Sequence, residues 1–178
     1  MITGAVSDDA IAAVSFDVGI PQATMKAVIA STDNVNDAPS PLAELQWSWA
    51  SGYRHFAANF SLMNATHTDM IENSGFHFGS RDCGGAGKAL SDQEACDLLN
   101  TPAVMLDNFD PSIDNVIVDL AAMLANGSTS DFENGDNFGV QCHSGASQSA
   151  CVSMFPNFGV DLSTGIATAS GNSVFYKE

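Results

Sequence analysis

Four histidines, seven methionines and two tryptophans are the side chains of this 178-residue chain best suited to chemistry beyond packing. Imidazole combined with a soft or unusual donor suits copper better than calcium. By spacing, His55 and His77 stand out. Each lies in an alternating run, "WSWASGYRHF" and "GFHFGS", and the polar "NATHTD" separates the two. If these runs form a hairpin centred near Thr66, residues whose numbers sum to 132 face one another, and His55 and His77 become an opposed cross-strand pair. A slip of one residue would turn the side chains to the other face and destroy the pair. His67 falls in the expected turn and His143 lies beside Cys142, and both are expected at the surface.

Trp47 and Trp49 share one parity of the first run, and on a strand they point to one face. Two aromatics so placed can anchor a core. Tyr53 and His55 continue the parity unless Gly52 introduces a bulge.

Other chemistries are poorly supported. Gly-x-Ser-x-Gly is absent, and the cysteines look committed to disulfides, so no activated serine or thiol nucleophile is signalled and a hydrolase has no basis. "DCGGAGKALS" lacks the spacing of a phosphate-binding loop. "DFENGDN" offers Asp131, Glu133 and Asp136 but does not fit an EF-hand, and is expected to be a solvated acidic loop.

The elements that must position these residues are mostly short strands, because the apolar periodicity is of the two-residue kind and is broken by Gly, Asn, Asp and Ser. Strands are expected in "AIAAVSFDVGIP", "PAVMLDNF", "NVIVDL" and the terminal "NSVFYKE", with short helices in "ATMKAVIAS" and "SDQEACDLL" and a helical turn in "AAMLAN". The length and 45% hydrophobic content suit a single domain over 1–178: an antiparallel β-sandwich-like unit with long loops and a few short helices.

Five Lys plus Arg against 21 Asp plus Glu give a net charge of −16, which disfavours nucleic acid and anionic lipid as partners. Cys83, Cys96, Cys142 and Cys151 allow three disulfide connectivities, of which the local one, Cys83–Cys96 with Cys142–Cys151, costs the least chain organisation. Disulfides imply an oxidising compartment. The opening "MITGAVSDDAIAAV" carries no basic n-region or long apolar run, so neither a signal peptide nor a membrane span is read, and a mature or shortened chain is expected.

Taken in order, "FDVGIP", "APSPL", "WSWASGYRHF", "FHFGSRDC", "LLNTPAVMLDNFDP", "VIVDLAAML", "QCHSGASQSACVSMFPNFGV" and "SVFYK" resemble the MbnP-like family, the four-Cys copper-binding partners of metallo-mystery pairs. The resemblance covers nearly the whole chain. It implies a protein that is not an enzyme, located in the periplasm or outside the cell, in some members attached to the outer membrane. It also implies copper binding and a partner, a MauG-like di-haem peroxidase that oxidises one tryptophan to kynurenine. Trp47 or Trp49 then becomes the modified residue, and His77, in "FHFGS", the foremost ligand. Family members often carry Asn-His after the "GVP" strand. This chain reads "QATMKA" there, which leaves Met25 as the replacement ligand. Position 55 is usually apolar, so His55 is either a lineage feature or a compensating ligand. Family members also have further N-terminal strands, which this chain is expected to lack. The competing expectation is a structural or adhesion β-domain that shares the scaffold without metal.

Overall fold

The computed structural model describes residues 11–31, 42–48, 52–63, 70–83, 96–127 and 141–178. Its elements are mainly strands, joined by short helices. The chain begins with β1 (Ala13–Asp17), α1 (Gln22–Ser31), α2 (Leu42–Leu45), β2 (Gln46–Ser48), β3 (Gly52–Met63) and β4 (Met70–Gly79). It continues through β5 (Ala103–Asp107), β6 (Val116–Val118), α3 (Leu120–Leu124), β7 (Gln141–Cys142) and α4 (Ser149–Met154). A 3-10 turn, Phe155–Asn157, leads to β8 (Phe158–Val160), β9 (Ala167–Asn172) and β10 (Phe175–Lys177). The strands form three antiparallel pairs, β1–β5, β6–β10 and β8–β9, and a four-stranded sheet of order β2-β3-β4-β7. In that sheet β7 runs parallel to β4.

The long hairpin β3–β4 dominates the fold, and its period-2 pattern sorts the side chains. Phe56, Ala58 and Phe60 of β3, with Phe76 and Phe78 of β4, face the main core; Phe155, Phe158, Met154, Met123 and Val104 complete it. Phe78 stacks on Phe155 at a centroid distance of 4.1 Å, and Phe76 on Phe158 at 5.2 Å. All four rings are fully buried. Truncating Phe78 to alanine is expected to cost about 3–5 kcal/mol, read as a lowered urea midpoint, because a close-packed aromatic cluster cannot collapse into the space left.

α3 starts at Asp119, whose carboxylate accepts from the N–H groups of Ala121 and Ala122, so a short apolar helix is capped by its own sequence. A smaller core joins Met25 of α1 to Tyr53, Cys83 and Cys96. Both disulfides take the local pairing, Cys83–Cys96 and Cys142–Cys151.

Three expectations are corrected. "WSWASGYRHF" is not one strand: the chain reverses between Ser48 and Gly52, which pair with each other, and Gly52 takes φ +74°. The shared parity of the tryptophans with Tyr53 and His55 therefore ends at that glycine, whose left-handed conformation a side chain would resist. Cys96 is not helical; the residues before it in "SDQEACDLL" lie outside the described set, as do the "NATHTD" turn with His67, Trp49, and the acidic loop with Asp131, Glu133 and Asp136. Finally, the β3–β4 register pairs Ala57 with His77, Phe56 with Phe78 and Asn59 with Gly75, with a bulge between Arg54 and Phe56.

Candidate metal centre

That register separates His55 and His77, which the expected hairpin would oppose. His77 faces Ala57, whereas His55 sits in the bulge and turns toward a different part of the chain. His55 Nδ1 lies 3.1 Å from the carbonyl oxygen of Asn100 and donates to it, while Nε2 is buried with no hydrogen-bond partner. Gly19, of the "VGIP" turn, packs on the ring so closely that an added Cβ would lie 2.8 Å from Cγ. Burial pushes the imidazole below its ordinary pKa, opposed by the Asn100 hydrogen bond. Met25 is buried in the smaller core, and Trp47 is the middle residue of β2, in the same sheet as His77.

The partner His77 does acquire is His143. β7 pairs with β4 through Gly75↔Gln141 and Phe76↔Cys142, so Cys142 enters the core beside Phe76 while Gln141 and His143 take the opposite face with Gly75 and His77. His77 Nδ1 and His143 Nδ1 are 2.9 Å apart, with ring centroids 4.7 Å apart and planes inclined at 61°. Each outer nitrogen meets an amide: His77 Nε2 lies 3.0 Å from Asn59 Oδ1, and His143 Nε2 lies 2.9 Å from Gln141 Oε1. Gly75 lies between these groups, its missing Cβ leaving room 3.5 Å from Asn59 Oδ1 and 3.7 Å from Gln141 Oε1. An open hollow of about 380 Å³, lined by Asn59, Phe60, Ser61 and Ser74, adjoins the cluster at Asn59.

Hydrogen-bond accounting gives this row of four side chains its chemistry. A carbonyl oxygen only accepts, so with Asn59 and Gln141 oriented as found, both Nε2 atoms donate and both neutral rings direct Nδ1 lone pairs at each other. Two nitrogens so placed can share one electrophile between the rings, either a proton or a metal ion. Protonation is opposed. Burial pushes His77 below the ordinary imidazole range, reinforced by His143 and the Arg54 guanidinium; burial does the same to His143, reinforced by Arg54 and Arg81. Metal-ligating histidines characteristically donate their second N–H to an oxygen that fixes tautomer and ring orientation, and both rings here have that arrangement. Among the described residues no group of three or more His, Cys, Asp or Glu gathers in a metal-binding arrangement, so the imidazole pair is the nucleus of the candidate site.

Depressed histidine pKa values in the fold have a sign. Above about pH 6.5 folded and unfolded chains both hold neutral imidazoles; below it the unfolded chain takes up protons that His55, His77 and His143 resist, until pH reaches their folded values. Stability is therefore expected to fall on acidification from about pH 7.5 to about pH 5.5, measured as the urea midpoint without metal. Asp110, Asp114 and Asp161, held below the ordinary carboxylate range chiefly by hydrogen bonds from Ser112, Lys177 and Ser163 respectively, act in the same direction in a lower, acid window.

The family model that matches is described as MbnP, and it covers residues 1–144, from the N-terminus through both histidines of the pair. The chain belongs to the MbnP family. Its fold is similar to that of MbnP from Methylosinus trichosporium, with a TM-score of 0.67 at 22% sequence identity; the likeness covers 96% of this chain and 63% of that one. This chain thus spans less than two thirds of that MbnP. None of the curated proteins compared with it matches. Sequence reasoning missed His143. The one signal that could have found it is the alternation Gln141-Cys142-His143, in which a disulfide-bonded core cysteine forces its neighbours onto the opposite face.

Among the described residues no helix is long and apolar enough to cross a membrane.

Proposed function

We propose that this MbnP-family chain is an extracytoplasmic copper-binding protein, in the periplasm or at the outer membrane or cell exterior, that acquires, stores or delivers copper and is not a catalyst. The observation that carries the reading is the His77–His143 pair: two imidazoles 2.9 Å apart at Nδ1, each with its other nitrogen held by a side-chain amide. Among the described residues the nucleus is a pair of neutral imidazoles, a nitrogen donor set that suits copper and disfavours calcium or magnesium, which require oxygen ligands. Two local disulfides fit an oxidising compartment.

Within this reading, Trp47 or Trp49 is the substrate of a MauG-like di-haem peroxidase. Opening the indole to kynurenine yields an aryl ketone and an aniline nitrogen, new donors that supplement two imidazoles. Trp47 belongs to a strand of the same sheet as His77. His55 and Met25 are candidates for the remaining positions, and each can be tested by substitution.

Intact-mass spectrometry of the protein produced with its di-haem partner is expected to show a gain of about 4 Da, one oxygen gained for one carbon lost, with the change mapped to Trp47 or Trp49. The modified protein is expected to retain copper through dialysis. Unmodified tryptophans together with no retained copper would leave the reading without support.

A further inference from the structure

His143 is the one ligand of the pair that lies outside a regular strand. β7 ends at Cys142, and among the described residues its ladder with β4 pairs Gly75 with Gln141 and Phe76 with Cys142, so main-chain pairing stops one residue short of the imidazole. Beyond it the chain turns, with Ser144 at φ +57°. The Ser144 side chain then returns to β4. Its Oγ donates to the His77 carbonyl oxygen at 3.0 Å and accepts from the Gly79 N–H at 2.9 Å. These are the β4 main-chain groups next in line after the short ladder, and a hydroxyl can serve both because it donates and accepts at once.

One buried hydroxyl thus joins the two halves of the pair. Ser144, 2% exposed, is bonded covalently to His143 and by hydrogen bond to the main chain of His77. Behind it, Gln148 Oε1 accepts from the N–H groups of His143, at 2.8 Å, and Gly145, at 3.2 Å, which holds the same turn from the opposite side. Glycine would take the left-handed conformation at position 144 without the steric penalty a Cβ brings, so the hydroxyl bonds are what a serine contributes there.

We propose that Ser144 is the positioning residue of the imidazole pair: its hydroxyl sets the separation of His77 and His143 by completing the β4–β7 ladder with a side chain. The structural part of this stands on the geometry of the metal-free rings, and its consequence for copper rests on the function proposed above.

Two variants separate positioning from stability. Ser144→Gly removes the hydroxyl and suits the left-handed backbone; Ser144→Thr keeps the hydroxyl but places a β-branched residue where that backbone is costly. The Nδ1–Nδ1 separation, 2.9 Å in the parent, is to be read from crystal structures of the metal-free proteins: it is expected to be kept in Ser144→Thr despite a lower Tm, and to widen in Ser144→Gly. Copper affinity is expected to drop about tenfold or more in Ser144→Gly alone. A separation unchanged in Ser144→Gly, or one that widens in step with the loss of Tm in both variants, overturns the proposal. If the parent takes up no copper while the separation still widens in Ser144→Gly, the copper reading fails and the positioning role stands. If the parent takes up copper and Ser144→Gly matches it with the separation unchanged, the positioning role fails and the copper reading stands.

Discussion

Replacing His143 with alanine is expected to abolish copper retention while leaving the fold in place, with affinity falling about 100-fold or more. The size follows from the arithmetic of the site. The two imidazoles are the nucleus of the donor set among the described residues, and losing one removes half of that nucleus. The cost is concentrated in binding because His143 lies on the face of the sheet away from the aromatic core, where Phe76, Phe78 and Phe158 continue to pack. His77→Ala is expected to behave alike. His55→Ala should differ: its ring fills the space against Gly19 and bonds to Asn100, so its removal lowers stability first. Copper titration beside urea denaturation of the three variants checks this, and an equal effect of all three on copper would assign His55 to the site.

The second large effect is expected from the Cys142–Cys151 disulfide. Both cysteines are fully buried in the main core, and the bond closes a nine-residue separation. Constraint of the unfolded chain by a loop of that size is worth about 2.5–3 kcal/mol. Replacing both cysteines with serine adds the burial of two hydroxyls without assured partners, so a loss of about 3–5 kcal/mol in denaturant unfolding is expected. The consequence reaches the site through the chain itself. Cys142 anchors β7 to β4, and His143 is the next residue, so a loosened bridge frees the second imidazole. The double variant is therefore expected to lose copper along with stability. The Cys83–Cys96 variant, whose bridge lies in the smaller core with Met25 and Tyr53, is expected to lose stability with less effect on the pair.

Much of the fold was legible because local alternation and turn residues wrote it. β1, β4, β5, β6 and β10, together with α1 and α3, fall in the segments where apolar periodicity places strands and short helices. The hairpin was legible as well, but not its register. A turn centred one residue later makes opposed residues sum to 134, as for Ala57 with His77, which preserves the face of His77 and replaces its partner. Bulges are set by tertiary packing: the one between Arg54 and Phe56 rotates His55 out of phase with Ala57 and Asn59. The reversal at Gly52 was visible as a glycine, yet a single glycine does not distinguish a bulge from a turn.

The site itself was half legible. His77 was singled out by its place in "FHFGS" and by the expected hairpin, and in the structure the flanking Phe76 and Phe78 are buried in the core. His143 was not, because its approach to His77 depends on a parallel pairing across more than sixty residues, for which no local pattern exists. Ser144 and Gln148 were illegible for the same reason: their roles exist only once β7 lies beside β4.

X-ray absorption at the copper edge tests the central claim most directly. In protein produced together with the di-haem peroxidase proposed as its partner and loaded with copper, the fine structure is expected to show two imidazole ligands, falling to one in His143→Ala and one in His77→Ala. A spectrum without imidazole scattering, or one unchanged in the variant lacking both rings, would contradict the assignment of copper to the His77–His143 pair.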